Sequence, residues 1–338
     1  MGDRQALSAI FLREHGWGDA TRSFLAGDAS DRSYDRLVRG QDRAVLMDAP
    51  PGKGEDCATF VAVAAHLRGV GLSAPVVLAQ DVWHGFLLLE DFGDAVFARV
   101  LQAQPQMERA LYAAAVDALI CLQSAPAMPD LPDLQADDWA TAALFGLDWY
   151  AFGITGQCSD PTALRGMLAD TLHRYADGPR VVIHRDYHAE NLIWLPDRAG
   201  IRRAGILDFQ LLQMGQPAYD LVSLLQDARR DVLPDTVLQM KRHFLDASGA
   251  DAAAFDAAFA IIGAQRALRI LGIFARLCMV AAKPHYLSLM PRVWDHLQTS
   301  LSHPSLRPLQ MICARLLPAP TPNNLNVLRE KCGTVSDQ

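Results

Sequence analysis

The sequence predicts an α+β protein with a strand-rich first lobe and a mostly helical second lobe. Up to residue 93, short apolar runs alternate with turns rich in Gly and Asp, which is typical of an antiparallel meander. From residue 94 onward, apolar residues recur mainly at helical intervals. The length of 338 residues also exceeds the usual size of one compact core. We therefore expect two lobes, at residues 1–93 and 94–338.

The first lobe is predicted to contain two helices and five strands. Residues 4–15 are predicted to form an amphipathic helix, because Leu7, Ile10 and Phe11 fall on one face. A second helix is predicted at residues 55–70. The strands are predicted at residues 24–25, 34–38, 44–48, 75–79 and 85–89.

The second lobe is predicted to be helical apart from two short apolar strands, at residues 181–183 and 206–209. The final segment, residues 318–338, is expected to be weakly ordered. Helices are expected over most of residues 107–123, 135–177 and 217–316, with a proline-broken connector at residues 126–134.

The composition argues against several classes of protein. A net charge of -7 is unfavourable for a surface that follows nucleic-acid phosphates. The six cysteines form no CxxC pair, so we expect reduced thiols and neither a disulfide framework nor a zinc site. The N-terminus has no signal-peptide pattern, and no stretch approaches the roughly 20 apolar residues that cross a bilayer. We expect a cytoplasmic monomer that binds neither nucleic acid nor membrane.

The segment VVIHRDYHAENL carries the strongest signal for chemistry. Asp186 and Asn191 lie five residues apart after an apolar strand, and Asp208 lies in the next apolar run, ILDF. Phosphoryl transfer from ATP needs a carboxylate that orients the attacking hydroxyl, and an amide oxygen and a second carboxylate that hold Mg²⁺. Aspartates also cap ordinary turns, but that interpretation leaves the shared spacing unexplained. We therefore assign Asp186 as the base and Asn191 and Asp208 as Mg²⁺ ligands.

The same segment resembles a known kinase loop. HRDYHAEN is similar to the HxDxxxxN loop of the aminoglycoside phosphotransferase and choline kinase group, which shares the protein-kinase-like fold. ILDFQ resembles the metal-binding aspartate segment of that group and lacks the Gly of the protein-kinase DFG motif. The resemblance implies a two-lobed protein-kinase-like fold, ATP and Mg²⁺ as cofactors, and a small molecule as phosphate acceptor.

Two histidines and one more aspartate accompany this loop. We expect His184, at its first position, to brace the turn. Asp220, near the start of the predicted helix AYDLVSLL, is expected to anchor the loop by accepting backbone N–H bonds. His188 has a counterpart in many members of the group, and the sequence leaves open whether it binds substrate or braces the loop.

The nucleotide is expected to contact two segments of the first lobe. The turn GDASDRSY lies between two early strands, and its small residues let the backbone approach phosphates. Any hairpin can carry such residues, so its place in the strand order is what favours a phosphate-binding role. The resemblance implies that the strand LLLE ends in a hinge whose backbone meets adenine. The predicted nucleotide-binding residues are Ser30, Asp31, Arg32, Ser33, Glu90 and Phe92.

A lysine expected on the third strand for the α- and β-phosphates is absent, and Met47 stands about where it belongs. Lys53, in the following Gly-rich turn, could replace it, although a solvated loop lysine is the simpler interpretation. The absence raises the alternative of a nucleotide-binding pseudokinase. The complete set of Asp186, Asn191 and Asp208 argues against that alternative.

Several longer strings resemble one subgroup of the family. The resemblance covers residues 5–316 and points to the bacterial cell-wall sugar kinases, which are anomeric N-acetylmuramate/N-acetylglucosamine kinases of peptidoglycan recycling. LMDAPP is the usual form in that subgroup, so the missing lysine would be a family trait. The strings are GDASDRSYDRL, LMDAPP, LLLEDFGD, HRDYHAENLIWL and QRALRILGIFARL.

The predicted helix QRALRILGIFAR carries basic residues among apolar ones. One interpretation is a solvated basic stripe, since long side chains can keep their charged ends in water. The other is that Gln265, Arg266 or Arg269 binds sugar hydroxyls or a lactyl carboxylate. A kinase for polycationic aminoglycosides should carry Asp and Glu in this region instead. The contrast favours a neutral or anionic sugar.

We expect transfer of the γ-phosphoryl group of ATP to the C1 hydroxyl of N-acetylmuramate or N-acetylglucosamine, as the resemblance implies. The predicted substrate contacts are His188, Gln265, Arg266 and Arg269. An aminoglycoside, a choline-like amine or another metabolite is the alternative acceptor. A pseudokinase that regulates a partner is the alternative class.

Overall fold

The protein forms two compact units, each built from two stretches of the chain. The structure is a computed structural model that describes residues 2–27, 32–52 and 56–336. The first unit comprises Met1–Met128 and Ala189–Leu212, and the second comprises Pro129–His188 and Gln213–Gln338. The units are defined by compactness alone, and the division into functional lobes after residue 93 stays a prediction.

The first unit contains a five-stranded antiparallel sheet. Its strands, with labels that follow the chain, are β1 (Thr21–Gly27), β2 (Ser33–Arg39), β3 (Asp42–Asp48), β4 (Val77–Asp81) and β5 (Phe86–Glu90). The strand order is β1-β2-β3-β5-β4. The first three strands are therefore consecutive neighbours, which confirms the predicted meander. The two predicted helices are α1 (Gly2–Glu14) and α2 (Cys57–Gly69).

Apolar side chains of the central strands form a core against α1. Leu37, Leu46 and Phe86 are fully buried. Phe11 of α1 stacks on Phe86, with 5.8 Å between the ring centroids. Each such side chain stabilises the fold by about 1.5–3 kcal/mol relative to an exposed position. One helix packed on the sheet therefore holds the strands that carry the predicted nucleotide-binding residues.

The rest of the first unit consists of helices α3 (Phe97–Ala103) and α4 (Glu108–Ser124) and an antiparallel pair, β7 (Leu192–Trp194) and β8 (Ala204–Ile206). The strand predicted at residues 206–209 thus ends at Ile206, so Asp208 follows the strand and does not lie in it. β7 was not predicted, because its residues directly continue the loop segment that ends at Asn191.

The second unit is mostly helical. Its helices are α5 (Ala136–Ala143), α6 (Phe152–Thr155), α7 (Thr162–Ala176), α8 (Ala218–Leu225), α9 (Pro234–Ser248), α10 (Ala252–Met279), α11 (Met290–Leu301), α12 (Arg307–Leu316) and α13 (Pro322–Glu330). Two short strands, β6 (Val181–Ile183) and β9 (Gln213–Gly215), pair antiparallel. β6 was predicted from its apolar run VVI, and β9 was missed because its residues QMG form no apolar run.

Helix α10 is the centre of the second unit. It packs against α5, α7, α8, α11 and the π-helical turn Gly146–Ala151. Two glycines permit the closest approach to that turn. A Cβ atom on Gly272 would lie 2.1 Å from the carbonyl oxygen of Phe145, and one on Gly146 would lie 2.9 Å from that of Leu268. Backbone contact at both positions fixes the helix that carries Gln265, Arg266 and Arg269.

By length and composition alone, α10 could cross a membrane, so the expectation that no apolar stretch is long enough was wrong. It is the one helix of this kind in the described part of the chain. The 18-residue apolar window is 83% buried inside the protein, as in the core helix of a soluble protein. Packing within the second unit therefore accounts for its apolar surface.

The described part of the C-terminal segment, residues 318–336, contains a packed helix, α13, so the expectation of a weakly ordered tail was wrong there. Thr321 caps α13 by accepting a hydrogen bond from the Asn324 amide, with Pro322 in the first helical turn. A proline at this position starts helices, so the residues that suggested disorder are a helix-start signal. Leu328 is fully buried, and a Cβ atom on Gly153 would lie 2.6 Å from its methyl group.

We expect Leu328→Ala to lower the free energy of unfolding by about 2–5 kcal/mol, because it removes a buried side chain from a close-packed site. Chemical denaturation measures the change. Met311→Ala is the control, since Met311 is 68% exposed and should shift stability by less than about 0.5 kcal/mol. Equal effects of the two substitutions would contradict a packed C-terminal helix.

Candidate active site

The loop at residues 184–191 follows β6 and is held by a buried carboxylate of α8. Asp220 is fully buried. Its Oδ2 accepts a hydrogen bond of 2.6 Å from the His184 amide, and its Oδ1 accepts one of 2.9 Å from the Arg185 amide. Burial raises the pKa of Asp220, and His184 and the two amide donors oppose this rise. Asp220 therefore anchors the loop as the sequence predicts.

Arg185 adopts a left-handed backbone conformation with φ of 78°. Such a conformation in a non-glycine residue costs about 1–3 kcal/mol, so surrounding contacts must hold it. Asp220 binds its amide, and Arg266 Nη1 donates a hydrogen bond of 3.2 Å to its carbonyl oxygen. Contacts to the amide and the carbonyl oxygen of Arg185 therefore fix its backbone and, with it, the direction of the next residue, Asp186.

The aromatic and imidazole rings of the loop pack inside the second unit. His184 and Tyr187 are fully buried. Their rings meet edge to face, with 5.5 Å between centroids. A buried ring at His184 is what a bracing residue requires, as expected from its place at the start of the loop.

Asp186 lies among positive and polarisable groups of the second unit. Burial alone would raise the pKa of its carboxyl group. Arg266 gives the largest opposing effect, and the total leaves the pKa below the ordinary value. The other groups that lower it are His188, His184 and Arg185. Asp186 is therefore ionised at neutral pH and can accept a hydrogen bond from a hydroxyl group.

Arg266 is buried and donates hydrogen bonds to other groups of the second unit. Its Nη2 donates a hydrogen bond of 2.6 Å to Ser223 Oγ, in addition to the bond to Arg185. Its guanidinium lies 4.6 Å from the centre of the Tyr219 ring, which is a cation–π distance. The structure therefore gives Arg266 a part in bracing the loop, and substrate contact by Arg266 stays a prediction.

Arg269 and Gln265 lie on α10 within one helical turn of Arg266. Burial lowers the pKa of Arg269; Arg185 and Arg266 lower it further, whereas Tyr219 and Asp186 oppose the change. Gln265 is fully buried, and its Nε2 donates a hydrogen bond of 2.9 Å to the Trp139 carbonyl oxygen. Among the described residues, nothing donates to its Oε1. α10 thus brings the charge of Arg269 near Asp186 and carries a buried amide at Gln265.

His188 is neutral at physiological pH. Burial, and next the charge of Arg229, lower its pKa to about 3, and Asp186 opposes the shift. Arg229 Nη1 lies 3.4 Å from His188 Nε2. A neutral imidazole can contact a sugar hydroxyl without adding charge, so both roles that the sequence left open are still compatible with its surroundings.

Asn191 and Asp208 lie at the same end of the β7–β8 pair in the first unit. The Leu207 amide donates a hydrogen bond of 2.9 Å to the Asn191 carbonyl oxygen, just beyond the paired residues Leu192 and Ile206. Asp208 has φ of 55°, a strained conformation that turns the chain directly after the strand. Gln210 Nε2 donates a hydrogen bond of 2.6 Å to Asp208 Oδ1.

This pair fits Mg²⁺ by the chemistry of its donor atoms. An amide oxygen and a carboxylate are hard ligands of the kind that Mg²⁺ prefers. The described residues contain no group of three or more His, Cys, Asp or Glu side chains that could hold a metal. Mg²⁺ in phosphoryl-transfer sites uses one or two carboxylates with substrate phosphates and water, so a larger protein cluster is not required.

The predicted nucleotide-binding residues fall in different settings. Ser30 and Asp31 lie outside the described residues, as does Lys53, the possible replacement for the strand lysine; Ser33 is the first residue of β2. Glu90 ends β5, and its carboxylate accepts hydrogen bonds from the Val76 amide and from Arg198. Arg198 also lies over the Phe92 ring, at 4.9 Å from its centre. Arg198 was not predicted, because nothing local marks a partner 108 residues from Glu90.

Arg32, the remaining predicted nucleotide-binding residue, lies beside Asp208. Its Nη2 is 3.6 Å from Asp208 Oδ1. The prediction treated Arg32 and Asp208 as separate parts of the site and missed this ion pair. It also missed Gln210, although its position two residues after Asp208 in ILDFQ is a local signal that could have found it.

The comparisons with known proteins agree on one family. The sequence profile of the phosphotransferase enzyme family, APH, matches residues 21–257. An N-acetylmuramate/N-acetylglucosamine kinase of Caulobacter vibrioides is 38% identical over 94% of this chain and 98% of its own length. A protein of the same name from Pseudomonas aeruginosa is 35% identical over 92% of this chain and 93% of its own.

The solved structures support the predicted fold. A choline/ethanolamine kinase family protein from Mesorhizobium loti superimposes with a TM-score of 0.61 over 97% of this chain and 99% of its own, at 15% sequence identity. Likeness at that identity concerns the fold alone. The predicted protein-kinase-like fold is therefore confirmed.

We expect Asp220→Ala to lower the free energy of unfolding by about 2–4 kcal/mol, because two buried amides lose their acceptor. Hydrogen exchange at the His184 and Arg185 amides should become faster. Asp220→Asn, which keeps one acceptor oxygen, should have a smaller effect. Asp235→Ala is a matched control in the exposed first turn of α9. Unchanged exchange in Asp220→Ala would show that the loop is anchored elsewhere.

Proposed function

This chain belongs to the phosphotransferase enzyme family, and from that premise we propose that it is an ATP-dependent kinase for N-acetylmuramate and N-acetylglucosamine. Relatives of that name match the chain over nearly their whole length at 38% and 35% identity. The observation that carries the proposal is the setting of Asp186: a carboxyl group whose pKa is lowered by the nearby Arg266 and Arg185, on a loop that its family uses for phosphoryl transfer.

In the proposed reaction, Asp186 accepts a hydrogen bond from the attacking sugar hydroxyl and orients its oxygen. The hydroxyl proton passes to the Asp186 carboxylate as the bond to the γ-phosphorus forms and the bond to the ADP oxygen breaks. The cations around Asp186 favour its ionised form before transfer. We propose that the acceptor is the C1 hydroxyl of the sugar and that the reaction occurs in the cytoplasm, where ATP is available.

Asn191 and Asp208 are the proposed ligands of Mg²⁺. The metal ion would neutralise charge on the β- and γ-phosphates during transfer. The chain contributes an oxygen donor from each side of the β7–β8 pair, and Gln210 fixes the Asp208 carboxylate.

The nucleotide is proposed to contact Ser30, Asp31, Arg32 and Ser33 with its phosphates and the Glu90–Phe92 segment with its base. The side chain of Glu90 is bonded to Arg198 and to the Val76 amide, and its own amide donates to the Val76 carbonyl oxygen. The contribution of this segment to base binding is therefore assigned to the backbone that follows Glu90 and to the Phe92 ring.

The positive side chains around Asp186 support a neutral or anionic acceptor. Arg266 and Arg269 lie on one side of α10, and Arg229 lies beside His188. We propose that Arg269 binds the lactyl carboxylate of N-acetylmuramate, because its burial favours pairing with an anion. Gln265 and His188 are proposed contacts for sugar hydroxyls. A polycationic aminoglycoside or a choline-like amine would be repelled at these positions.

The direct test is an acceptor screen with Mg·ATP. N-acetylmuramate, N-acetylglucosamine, choline and kanamycin are compared by ADP release, and ³¹P and ¹³C NMR locate the phosphate on the product. We expect turnover with the two amino sugars and phosphate on C1. Turnover with choline or kanamycin, and with neither amino sugar, would show that the proposed acceptor is wrong. ATP binding without turnover of any acceptor would favour the pseudokinase.

We expect Asp186→Asn to lower kcat by about 10²- to 10⁴-fold, the usual contribution of a general base. The KM for ATP should change little, because Asp186 is assigned to the acceptor. Steady-state kinetics with N-acetylglucosamine measures both quantities. Asp177→Asn is the control, since Asp177 lies after α7 and bonds only to His173 in the described hydrogen bonds. Full turnover by Asp186→Asn would refute the assigned role.

We expect Arg269→Met to raise the KM for N-acetylmuramate by about 10- to 100-fold, the value of a lost charge-assisted hydrogen bond. N-acetylglucosamine has no carboxylate, so the factor by which its KM rises should be at least about ten times smaller than the factor for N-acetylmuramate. The ratio of kcat/KM values for the two sugars is the measurement. Arg276→Met, on the same helix, should leave that ratio unaltered. Equal losses for both sugars would show that Arg269 does not bind the lactyl group.

A further inference from the structure

Arg32 is a buried cation whose counter-ion is a proposed metal ligand. Its side chain is 6% exposed, and its Nη2 lies 3.6 Å from Asp208 Oδ1. A guanidinium that is removed from water needs an anion beside it. Asp208 is one negative charge beside it, and Gln210 donates to the same Asp208 oxygen at 2.6 Å. Arg32 and a divalent cation therefore compete for one carboxylate.

In protein kinases, a lysine of the third strand is paired with a glutamate of the following helix and contacts the nucleotide phosphates. This pair has no counterpart on β3 and α2. Met47 is 1% exposed and is paired across the sheet with Tyr34 and Leu87. The buried face of α2 is apolar apart from one thiol. It consists of Cys57, Phe60, Val63, Ala64 and Leu67. β3 thus lacks the lysine, and the buried face of α2 lacks the glutamate. A positive charge for the phosphates therefore has to come from another position.

Arg32 lies beside the segment that follows β8, with its Nη2 3.6 Å from Asp208 Oδ1. The next residue of that segment, Phe209, packs on Phe60 of α2, with 4.7 Å between ring centroids. Arg32 is therefore a cation beside a segment that contacts α2. Its positive charge also opposes the rise that burial and Asp56 produce in the pKa of the Cys57 thiol, which is about 11.

We propose that Arg32 alternates between two anions and so supplies the charge of the absent lysine. In the free protein it pairs with Asp208; in the nucleotide complex it pairs with phosphate oxygens, while Asp208 serves as a metal ligand. This inference rests on the proposed function. Its physical basis is charge balance: Asp208 cannot fully neutralise both a guanidinium and a divalent cation, and the nucleotide brings the additional negative charge.

The proposal requires two effects of opposite sign when Arg32 loses its charge. Without nucleotide, a divalent cation should bind more tightly, because its competitor for Asp208 is gone. The nucleotide should bind more weakly, because its phosphates lose a partner. A residue with a purely structural role would weaken both interactions or neither.

The test compares wild type with Arg32→Met, which keeps an unbranched apolar stem and removes the charge. Electron paramagnetic resonance measures Mn²⁺ binding without nucleotide, and calorimetry measures ADP and adenosine binding. We expect Mn²⁺ affinity to rise by about two- to fivefold, in the range of a partly exposed ion pair, and ADP affinity to fall by about tenfold or more. Adenosine, which lacks phosphates, should bind with unchanged affinity.

Two further variants complete the test. Arg22→Met removes an arginine of β1 that pairs with Asp35 and should alter neither affinity. Arg32→Lys keeps the charge and should retain most of the ADP affinity. Mn²⁺ affinity that is unchanged or lower in Arg32→Met, or ADP affinity that is unchanged, would overturn the proposal, as would failure of both Arg32 variants to fold. Wild type that binds no ADP would instead overturn the proposed function.

Discussion

The pairing of one buried carboxylate with two backbone amides sets the geometry on which the rest of the site depends. Asp220 has no exposed surface, yet it accepts hydrogen bonds from consecutive residues of the loop, His184 and Arg185. Because Arg185 is in a strained conformation, these bonds offset a local cost and hold the turn. Arg266 binds the other side of the same residue. The helices α8 and α10 thereby fix where Asp186 points.

A second consequence of this arrangement is electrostatic. The chain is acidic overall, with a net charge of -7, yet the groups closest to Asp186 are basic. Arg266 stabilises the loop and also lowers the pKa of Asp186, so one side chain couples the structure of the loop to its protonation state. In the first unit, Arg32 lies beside Asp208, with 3.6 Å between Nη2 and Oδ1. Both carboxylates thus have an arginine of their own unit beside them.

The sequence predicted the meander from short-range patterns and the Asp220 anchor from the loop motif and the helix that follows it. The assignment of Asn191 and Asp208 as metal ligands stays a prediction. The sequence did not predict contacts between residues distant in the chain, such as Arg198 with Glu90, since neither residue carries a local signal. The order of α13 was also missed: its stability comes from burial of Leu328, which depends on packing rather than on composition. For the substrate contacts, residue type alone did not separate the bracing role of Arg266 from sugar binding.

The measurement that tests the account most directly is the pH dependence of kcat at saturating Mg·ATP and N-acetylglucosamine. Asp186 acts as an ionised base, and its pKa lies below the ordinary value of about 3.9, so kcat in the wild type should not fall as the pH is lowered to about 5. In Arg266→Met the pKa of Asp186 rises, and the acidic fall in kcat should move to higher pH. A wild-type fall centred above pH 5, or an identical profile in Arg266→Met, would contradict the account.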